Sequence, residues 1–197
     1  SLSKSELGPP LYATFENGCI YGFVAGFVPT RQALIEGRYD ALVAKELGRW
    51  HGSQTLANVD ADQQLKFWEI LQEWVQKVEK IMPSAEEFDF SLAVSLLSSL
   101  RERIYHNNEH SIGFCHNDLL PGNLIVKPCG NITFIDVEYA GLNYHLFDVA
   151  NHFSERCIDY AQVQIEPHHF PSIELQKDFF KHYLVHRDGT EATDEEI

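Results

Sequence analysis

The spacing of apolar residues along the chain predicts a mainly helical protein with short β-hairpins. The clearest helix covers residues 65–82, where apolar residues recur every three or four positions and Pro83 follows. We expect the apolar face of this helix to pack into a core. The same spacing predicts further helices over residues 40–51, 90–105, 148–160 and 174–186.

Turn residues between β-prone runs predict a hairpin near the start of the chain. The two runs are residues 12–15 and 19–24, and Asn17-Gly18 between them is a sequence that favours a tight turn. A single strand is predicted over residues 112–115, directly before a polar motif.

The polar motif covers residues 116–123, reads H-x-D-x-x-x-x-N, and leads into a second predicted hairpin. This hairpin covers residues 124–135, and Asp136 ends its return leg. Because a hairpin folds back on itself, we expect Asn123 and Asp136 to lie side by side at its open end. Asp118 is then held in the loop just before them.

Phosphoryl transfer by kinases needs the side chains that this arrangement brings together. A carboxylate accepts the proton of the substrate hydroxyl, and a carboxamide and a second carboxylate hold magnesium on the phosphates. The sequence therefore predicts a small-molecule kinase with Asp118 as catalytic base and Asn123 and Asp136 as metal ligands. Aspartate is a weak base, so Asp118 is expected mainly to orient the hydroxyl, while His116 fixes the loop. On the motif alone, an asparagine-rich loop without chemistry is the alternative.

Charge and cysteine usage exclude some partners and favour a cytoplasmic protein. Lysine and arginine total 15 and aspartate and glutamate total 29, which gives a formal net charge of −14. A chain this acidic does not bind nucleic acid or an anionic membrane by bulk attraction. The apolar run over residues 19–28 is too short to span a bilayer. The cysteines are scattered without a C-x-x-C pair, which favours reduced thiols.

Four stretches of the sequence resemble sequences of the choline/ethanolamine kinase family, and most of all those of its ethanolamine kinases. They are FCHNDLL at 114–120, FIDVEYAG at 134–141, NY at 143–144 and FDVANHFSE at 147–155. The opening run over residues 11–18 also resembles the inter-lobe segment of that family. The resemblance is dense from residue 114 to residue 155 and thinner elsewhere.

The resemblance implies a protein-kinase-like α+β fold that moves the γ-phosphate of ATP to an amino alcohol with Mg²⁺. By position, Asp118 matches the catalytic base, and Asn123 and Asp136 match the magnesium ligands. Asp148 matches an aspartate that braces the catalytic loop. The amino-alcohol pocket is expected to include Tyr139, Glu155 and Tyr160. The adenine is expected at the backbone of the hinge residues Tyr21, Gly22, Phe23 and Val24.

The resemblance also implies that the sequence is a central segment of a two-lobed kinase. Residues 1–28 correspond to the inter-lobe hinge segment, and residues 29–197 to a mainly helical C-lobe that is incomplete at its C-terminal end. The sequence contains no glycine-rich phosphate loop and no strand lysine with a glutamate partner, so the N-lobe is expected before Ser1. We therefore expect residues 1–197 alone to be inactive.

The leading function is phosphorylation of ethanolamine to phosphoethanolamine for phospholipid synthesis. Arg156 stands where choline kinases carry tryptophan, and Leu120 where they commonly carry glutamine. Arg156 is expected to face solvent or to pair with an acid. Glu155 and Asp159, expected one turn apart on one helix, favour a carboxylate-lined pocket. The first alternative is a choline kinase or a kinase that uses both substrates. The second is a truncated product that binds and regulates a full-length kinase. A homodimer is also left open.

Overall fold

The computed structural model describes residues 7–53, 67–81, 89–106 and 111–189. Its helices are α1 Arg31–Ile35, α2 Asp40–His51, α3 Phe67–Ile81, α4 Phe90–His106, α5 His145–Glu155 and α6 Ile173–Asp188. Its strands are β1 Leu11–Phe15, β2 Gly18–Tyr21, β3 Ile112–Cys115, β4 Leu124–Val126, β5 Ile132–Phe134, β6 Gly141–Tyr144, β7 Ile158–Asp159 and β8 Gln164–Ile165. Within these ranges, no helix is both long and apolar enough to cross a membrane.

The strands form four antiparallel pairs within the described residues, β1–β2, β3–β6, β4–β5 and β7–β8. The two predicted hairpins are present, and α2 has the predicted bounds. The first turn differs by one residue, because Phe15 pairs with Gly18 and the turn residues are Glu16 and Asn17. The strands β6, β7 and β8 were not predicted. The pairing of β6 depends on the distant β3, whereas β7 and β8 pair locally but have only two residues each.

The predicted helix over residues 148–160 is displaced towards the N-terminus, because α5 begins at His145 and ends at Glu155. Its predicted last turn instead forms β7, in which Ile158 pairs with Ile165 of β8. Both ends of the predicted helix over residues 65–82 lie outside the described residues. The predicted acidic end of the chain, after residue 189, also lies outside them.

The core lies between α2, α6 and the catalytic hairpin β4–β5. Trp50 of α2 is fully buried, and its ring centre lies 6.0 Å from that of Phe114 and 5.5 Å from those of His116 and Phe134. Helices α2 and α6 pack so closely that a Cβ atom on Gly48 would lie 2.5 Å from a backbone oxygen of α6. This packing fixes the strand and loop that carry the polar motif.

The apolar stripe of α3 is only partly covered, which corrects the prediction of core packing. Trp68 is buried and its indole nitrogen donates to the Tyr144 hydroxyl at 3.2 Å. Leu71 and Val75 are half-buried, whereas Val78 is 43% exposed. The first turn of α3 contacts β6 and the following α5, and among the described residues the later turns keep part of their apolar face exposed.

Candidate active site

The loop of the polar motif is held by a buried carboxylate on α5. Asp148 is fully buried and accepts the backbone N–H groups of His116 and Asn117, each at 2.7 Å. The ring of His51, at the end of α2, lies 3.1 Å from the same carboxylate. Two charge-assisted hydrogen bonds from consecutive amides leave the loop little freedom to rotate. Asp148 thus has the contacts expected of a residue that holds this loop in place.

His116 joins the loop to the end of β5. Its Nδ1 accepts the backbone N–H of Asp118 at 3.3 Å, so the proton lies on Nε2, which donates to the Ile135 carbonyl at 2.9 Å. Burial lowers the pKa of His116, against the opposing effect of the Asp148 charge. The neutral ring therefore acts as a fixed link between the loop and the hairpin.

Asn123 ties the other end of the loop back to Asp118. Residues Pro121–Asn123 form a 3-10 turn, and the buried Asn123 amide donates to the Asp118 carbonyl at 2.9 Å and to Asp118 Oδ2 at 3.0 Å. The amide nitrogen is used by these bonds. The amide oxygen Oδ1 is therefore the atom that could ligate a cation.

Asp136 lies at the open end of the catalytic hairpin, next to Asn123. The backbone N–H of Ile135 donates to the Asn123 carbonyl at 3.0 Å, and Asp136 is the following residue. Its side chain is exposed, and its φ of 60° lies in the left-handed region that aspartate and asparagine tolerate. An amide oxygen and an exposed carboxylate form a donor set that suits Mg²⁺.

Glu155 and Tyr160 form a polar pair near the Asp118 carboxylate. The Tyr160 hydroxyl donates to Glu155 Oε2 at 2.8 Å, and Glu155 is 8% exposed. Burial raises the pKa of Glu155, and the Asp118 charge raises it further, while the Tyr160 hydrogen bond lowers it. Burial and the Glu155 carboxylate raise the pKa of Tyr160 to about 12. The pair therefore places carboxyl and phenol oxygens near the predicted base.

Two of the other residues predicted for the substrate and adenine sites, Tyr139 and Gly22, make backbone hydrogen bonds within the protein. The Tyr139 carbonyl accepts the Asn117 side-chain amide at 2.8 Å, and the Tyr139 side chain is 59% exposed. In the hinge, β2 ends at Tyr21, and the N–H of Gly22 donates to the Pro10 carbonyl at 2.8 Å. The Gly22 amide is thus already bonded, and the hinge amides that follow are those of Phe23 and Val24.

The hinge is joined to the catalytic hairpin by backbone hydrogen bonds. Phe27 and Val126 of β4 exchange both N–H to carbonyl bonds, at 3.1 and 2.9 Å. Gly26 makes this approach feasible, because a Cβ atom there would lie 2.3 Å from the Val126 oxygen. The chain after the four hinge residues is therefore fixed relative to the strand that follows Asn123.

One prediction about the substrate side of the site needs correction, and another is confirmed. Asp159 does not share a helix face with Glu155, because α5 ends at Glu155 and Asp159 lies on β7. Its Oδ1 accepts the N–H groups of Ala161 and Gln162, as in a polar turn. For Arg156 the prediction was that it faces solvent or pairs with an acid, and the second outcome is confirmed, because Arg156 is fully buried and pairs with Asp40.

Sequence reasoning missed two side chains that hold the loop. Asn151 Oδ1 accepts the backbone N–H of Leu119 at 2.5 Å, and His51 contacts Asp148 from α2. Asn151 lies three residues after Asp148 on one helix, a spacing that places both on the same face and could have revealed it. The contact of His51 joins residues 97 positions apart and leaves no local signal.

Comparisons with known proteins show which family the chain is similar to. The sequence profile described as Choline/ethanolamine kinase matches residues 1–197. The chain is 30% identical over 249 residues to the probable ethanolamine kinase B of Dictyostelium discoideum, which covers 93% of this chain and 54% of the relative. It is 32% identical over 198 residues to the probable choline kinase 3 of Arabidopsis thaliana, which covers 96% of this chain and 55% of the relative.

A solved structure of choline kinase from Cryptosporidium parvum superposes with a TM-score of 0.76 at 25% identity, covering 98% of this chain and 60% of that chain. Aminoglycoside phosphotransferases have the same fold at lower similarity. The expected protein-kinase-like α+β fold is therefore confirmed. The chain spans about half the length of the curated relatives it matches. With the profile matching from the first residue to the last, the chain belongs to the choline/ethanolamine kinase family.

Proposed function

We propose that the complete protein containing residues 1–197 phosphorylates ethanolamine with ATP and Mg²⁺. The observation that carries the proposal is that two groups lie close to Asp118. Asn123, which is bonded to Asp118, and the neighbouring Asp136 supply oxygens that suit magnesium, and the Glu155–Tyr160 pair, whose carboxyl is affected by the Asp118 charge, suits an ammonium group. A short amino alcohol offers a hydroxyl for Asp118 and a cation for the Glu155–Tyr160 pair.

Each side chain has a simple task in this proposal. Asp118 orients the substrate hydroxyl and takes up its proton late in the reaction. Asn123 Oδ1 and the Asp136 carboxylate hold the magnesium, which when bound neutralises charge that develops on the ATP phosphates. Asp148 and His116 keep the loop in place, so that Asp118 needs no reorganisation during the reaction.

The polar character of the pocket supports ethanolamine over choline. The primary ammonium of ethanolamine has three N–H donors and needs oxygen acceptors, whereas trimethylammonium has none and prefers aromatic faces. Glu155 and Tyr160 supply oxygens. Arg156 does not oppose a cation there, because Asp40 neutralises it with bonds of 2.7 and 3.2 Å. The competing proposal is a kinase that prefers choline or uses both substrates.

Substrate preference is tested on the complete protein with ethanolamine and choline assayed in parallel. We expect kcat/KM to be at least about 10-fold higher for ethanolamine, since one charge-assisted hydrogen bond is worth about 1.5–3 kcal/mol. The phosphorylated product is identified by mass. N-methylethanolamine is assayed as a third substrate, because it has fewer N–H donors than ethanolamine and more than choline. Equal or greater efficiency with choline would overturn the preference while leaving the kinase proposal in place.

We further propose that residues 1–28 and 29–197 are the hinge segment and the C-lobe, and that the phosphate-clamping groups belong to a part of the protein outside this sequence. The purified chain of residues 1–197 is then expected to form no phosphorylated product, because its sequence contains neither a glycine-rich phosphate loop nor a strand lysine with a glutamate partner to clamp ATP against the loop. Product formation by this chain, with contaminating kinases excluded by an Asp118→Asn preparation, would contradict the division of lobes.

We propose that the reaction takes place in the cytoplasm and that its product, phosphoethanolamine, would feed phospholipid synthesis. The four cysteines support it, because each of them is free of disulfide bonds.

A further inference from the structure

The β7–β8 hairpin, which begins after Glu155 and carries Tyr160, is tied to helix α1 by one side chain. Arg31 Nε donates to the Arg156 carbonyl at 3.1 Å, just before β7. Arg31 Nη2 donates to Glu166 Oε2 at 2.7 Å, just after β8, and its Nη1 lies 3.9 Å from Asp159 on β7 itself. A single guanidinium thus contacts the hairpin before, within and after its two strands.

The hairpin itself is short, although the Glu166 N–H donates to the Cys157 carbonyl at 2.7 Å and the Asp159 carboxylate accepts two N–H groups of the turn. Each strand has two residues, with Ile158 opposite Ile165 and Asp159 opposite Gln164. At its tip, Val163 has a φ of 53°, which is unfavourable for a β-branched residue, and its side chain is 89% exposed. A two-stranded ribbon this short is not stable by itself and depends on contacts with the rest of the fold.

A buried ion pair fixes the point from which the hairpin leaves α5. Arg156 is fully buried, Asp40 at the start of α2 is 4% exposed, and the two make a bidentate pair. The pair anchors the backbone beside Glu155, and Arg31 then holds the same backbone at the Arg156 carbonyl. Helices α1 and α2 therefore both hold the segment that presents Glu155 and Tyr160.

We propose that Arg31 is a positioning residue for the ammonium group of the substrate, acting through the β7–β8 hairpin on Tyr160 and Glu155. The proposal rests on the proposed function and adds to it the device that sets the geometry of the Glu155–Tyr160 pair. Arg31 acts on Glu155 and Tyr160 indirectly: it binds the backbone carbonyl of Arg156, which follows Glu155, and it contacts the carboxylates of Asp159 and Glu166, which lie on either side of Tyr160 in the chain. Its side chain is 26% exposed, so it can be replaced without opening the core.

The test compares Arg31→Gln with wild type in the complete protein. We expect the KM for ethanolamine to rise by about 10-fold and the KM for ATP to change by less than about twofold, since only the side of the Glu155–Tyr160 pair is loosened. Arg31→Lys keeps the charge without the planar fork and should lie between the two. Arg38→Gln is the matched control, because Arg38 makes an exposed pair with Glu36 and should behave as wild type.

A double-mutant cycle separates positioning from general loss of stability. If Arg31 acts through Tyr160, the rise in KM for Tyr160→Phe combined with Arg31→Gln should be smaller than the product of the two single effects. Multiplicative effects, equal changes in both KM values, or an Arg31→Gln protein that behaves like Arg38→Gln would each overturn the inference. A wild-type protein that phosphorylates neither ethanolamine nor choline would overturn the proposed function and the inference with it.

Discussion

Replacing Asp118 with asparagine is expected to lower kcat of the complete protein by about 10²-fold or more, equivalent to at least about 2.7 kcal/mol of transition-state stabilisation. The amide keeps the shape of the carboxylate and can still accept the Asn123 amide hydrogen bond, which is 3.0 Å long in the native structure. What it loses is the negative charge and the ability to accept the hydroxyl proton. The loss should therefore appear in turnover.

The structure gives a reason to expect that this change leaves the fold intact. The loop amides of His116 and Asn117 are bound by Asp148, and that of Leu119 by Asn151, so the Asp118 carboxylate has no part in these bonds. The KM for ATP and the thermal unfolding temperature should stay near their native values.

The matched control for this substitution is Asp178→Asn on the exposed face of α6, which should leave turnover unchanged. Turnover within about threefold of the native rate in the Asp118→Asn protein would remove Asp118 from the role of base.

Local patterns were sufficient to predict the elements that carry the site. The catalytic hairpin follows from apolar runs on either side of a turn with Gly130, whose φ is 82° in the structure. In such a hairpin Ile135 pairs with Asn123, so Asp136, the next residue, lies beside Asn123 at the open end. Helix α2 has its predicted bounds because an acidic first residue and a glycine after its last turn mark both ends.

Contacts between distant parts of the chain could not be predicted in the same way. Strand β6 exists because β3 offers it a partner, with Cys115 opposite Gly141. The Asp40–Arg156 pair joins residues 116 positions apart, and Arg156 directly follows the last residue of α5. No local pattern distinguishes a buried arginine with a distant acid from one that faces solvent.

Helix α3 illustrates a different limit of sequence patterns. Periodic apolar residues correctly predict that residues 67–81 are helical, and Trp68 is buried as expected. The same pattern does not specify what covers the rest of the face, and Val78 remains exposed within the described part of the chain. Periodicity identifies a face with a preference for burial, while its partner is set by tertiary structure.

Replacing Asp136 with asparagine is expected to raise the magnesium concentration needed for half-maximal activity by about 10-fold or more and to lower kcat by about 10²-fold at fixed magnesium. The exposed carboxylate supplies one of the two oxygen ligands proposed at the open end of the hairpin, and a neutral amide binds a divalent cation less strongly. Asparagine is the cleaner substitution, because it tolerates the left-handed φ of 60° that alanine disfavours.

The readout is a magnesium titration at saturating ATP and ethanolamine, with Asp178→Asn as the matched control on an exposed site. Asn123→Ala should shift the same titration, because Asn123 Oδ1 is the second proposed ligand, but it should also lower kcat by freeing Asp118 from the bonds at 2.9 and 3.0 Å. Asp136→Asn leaves those bonds in place, so its effect isolates the metal. An unchanged titration curve in Asp136→Asn would remove Asp136 from the metal site, whatever the fall in kcat.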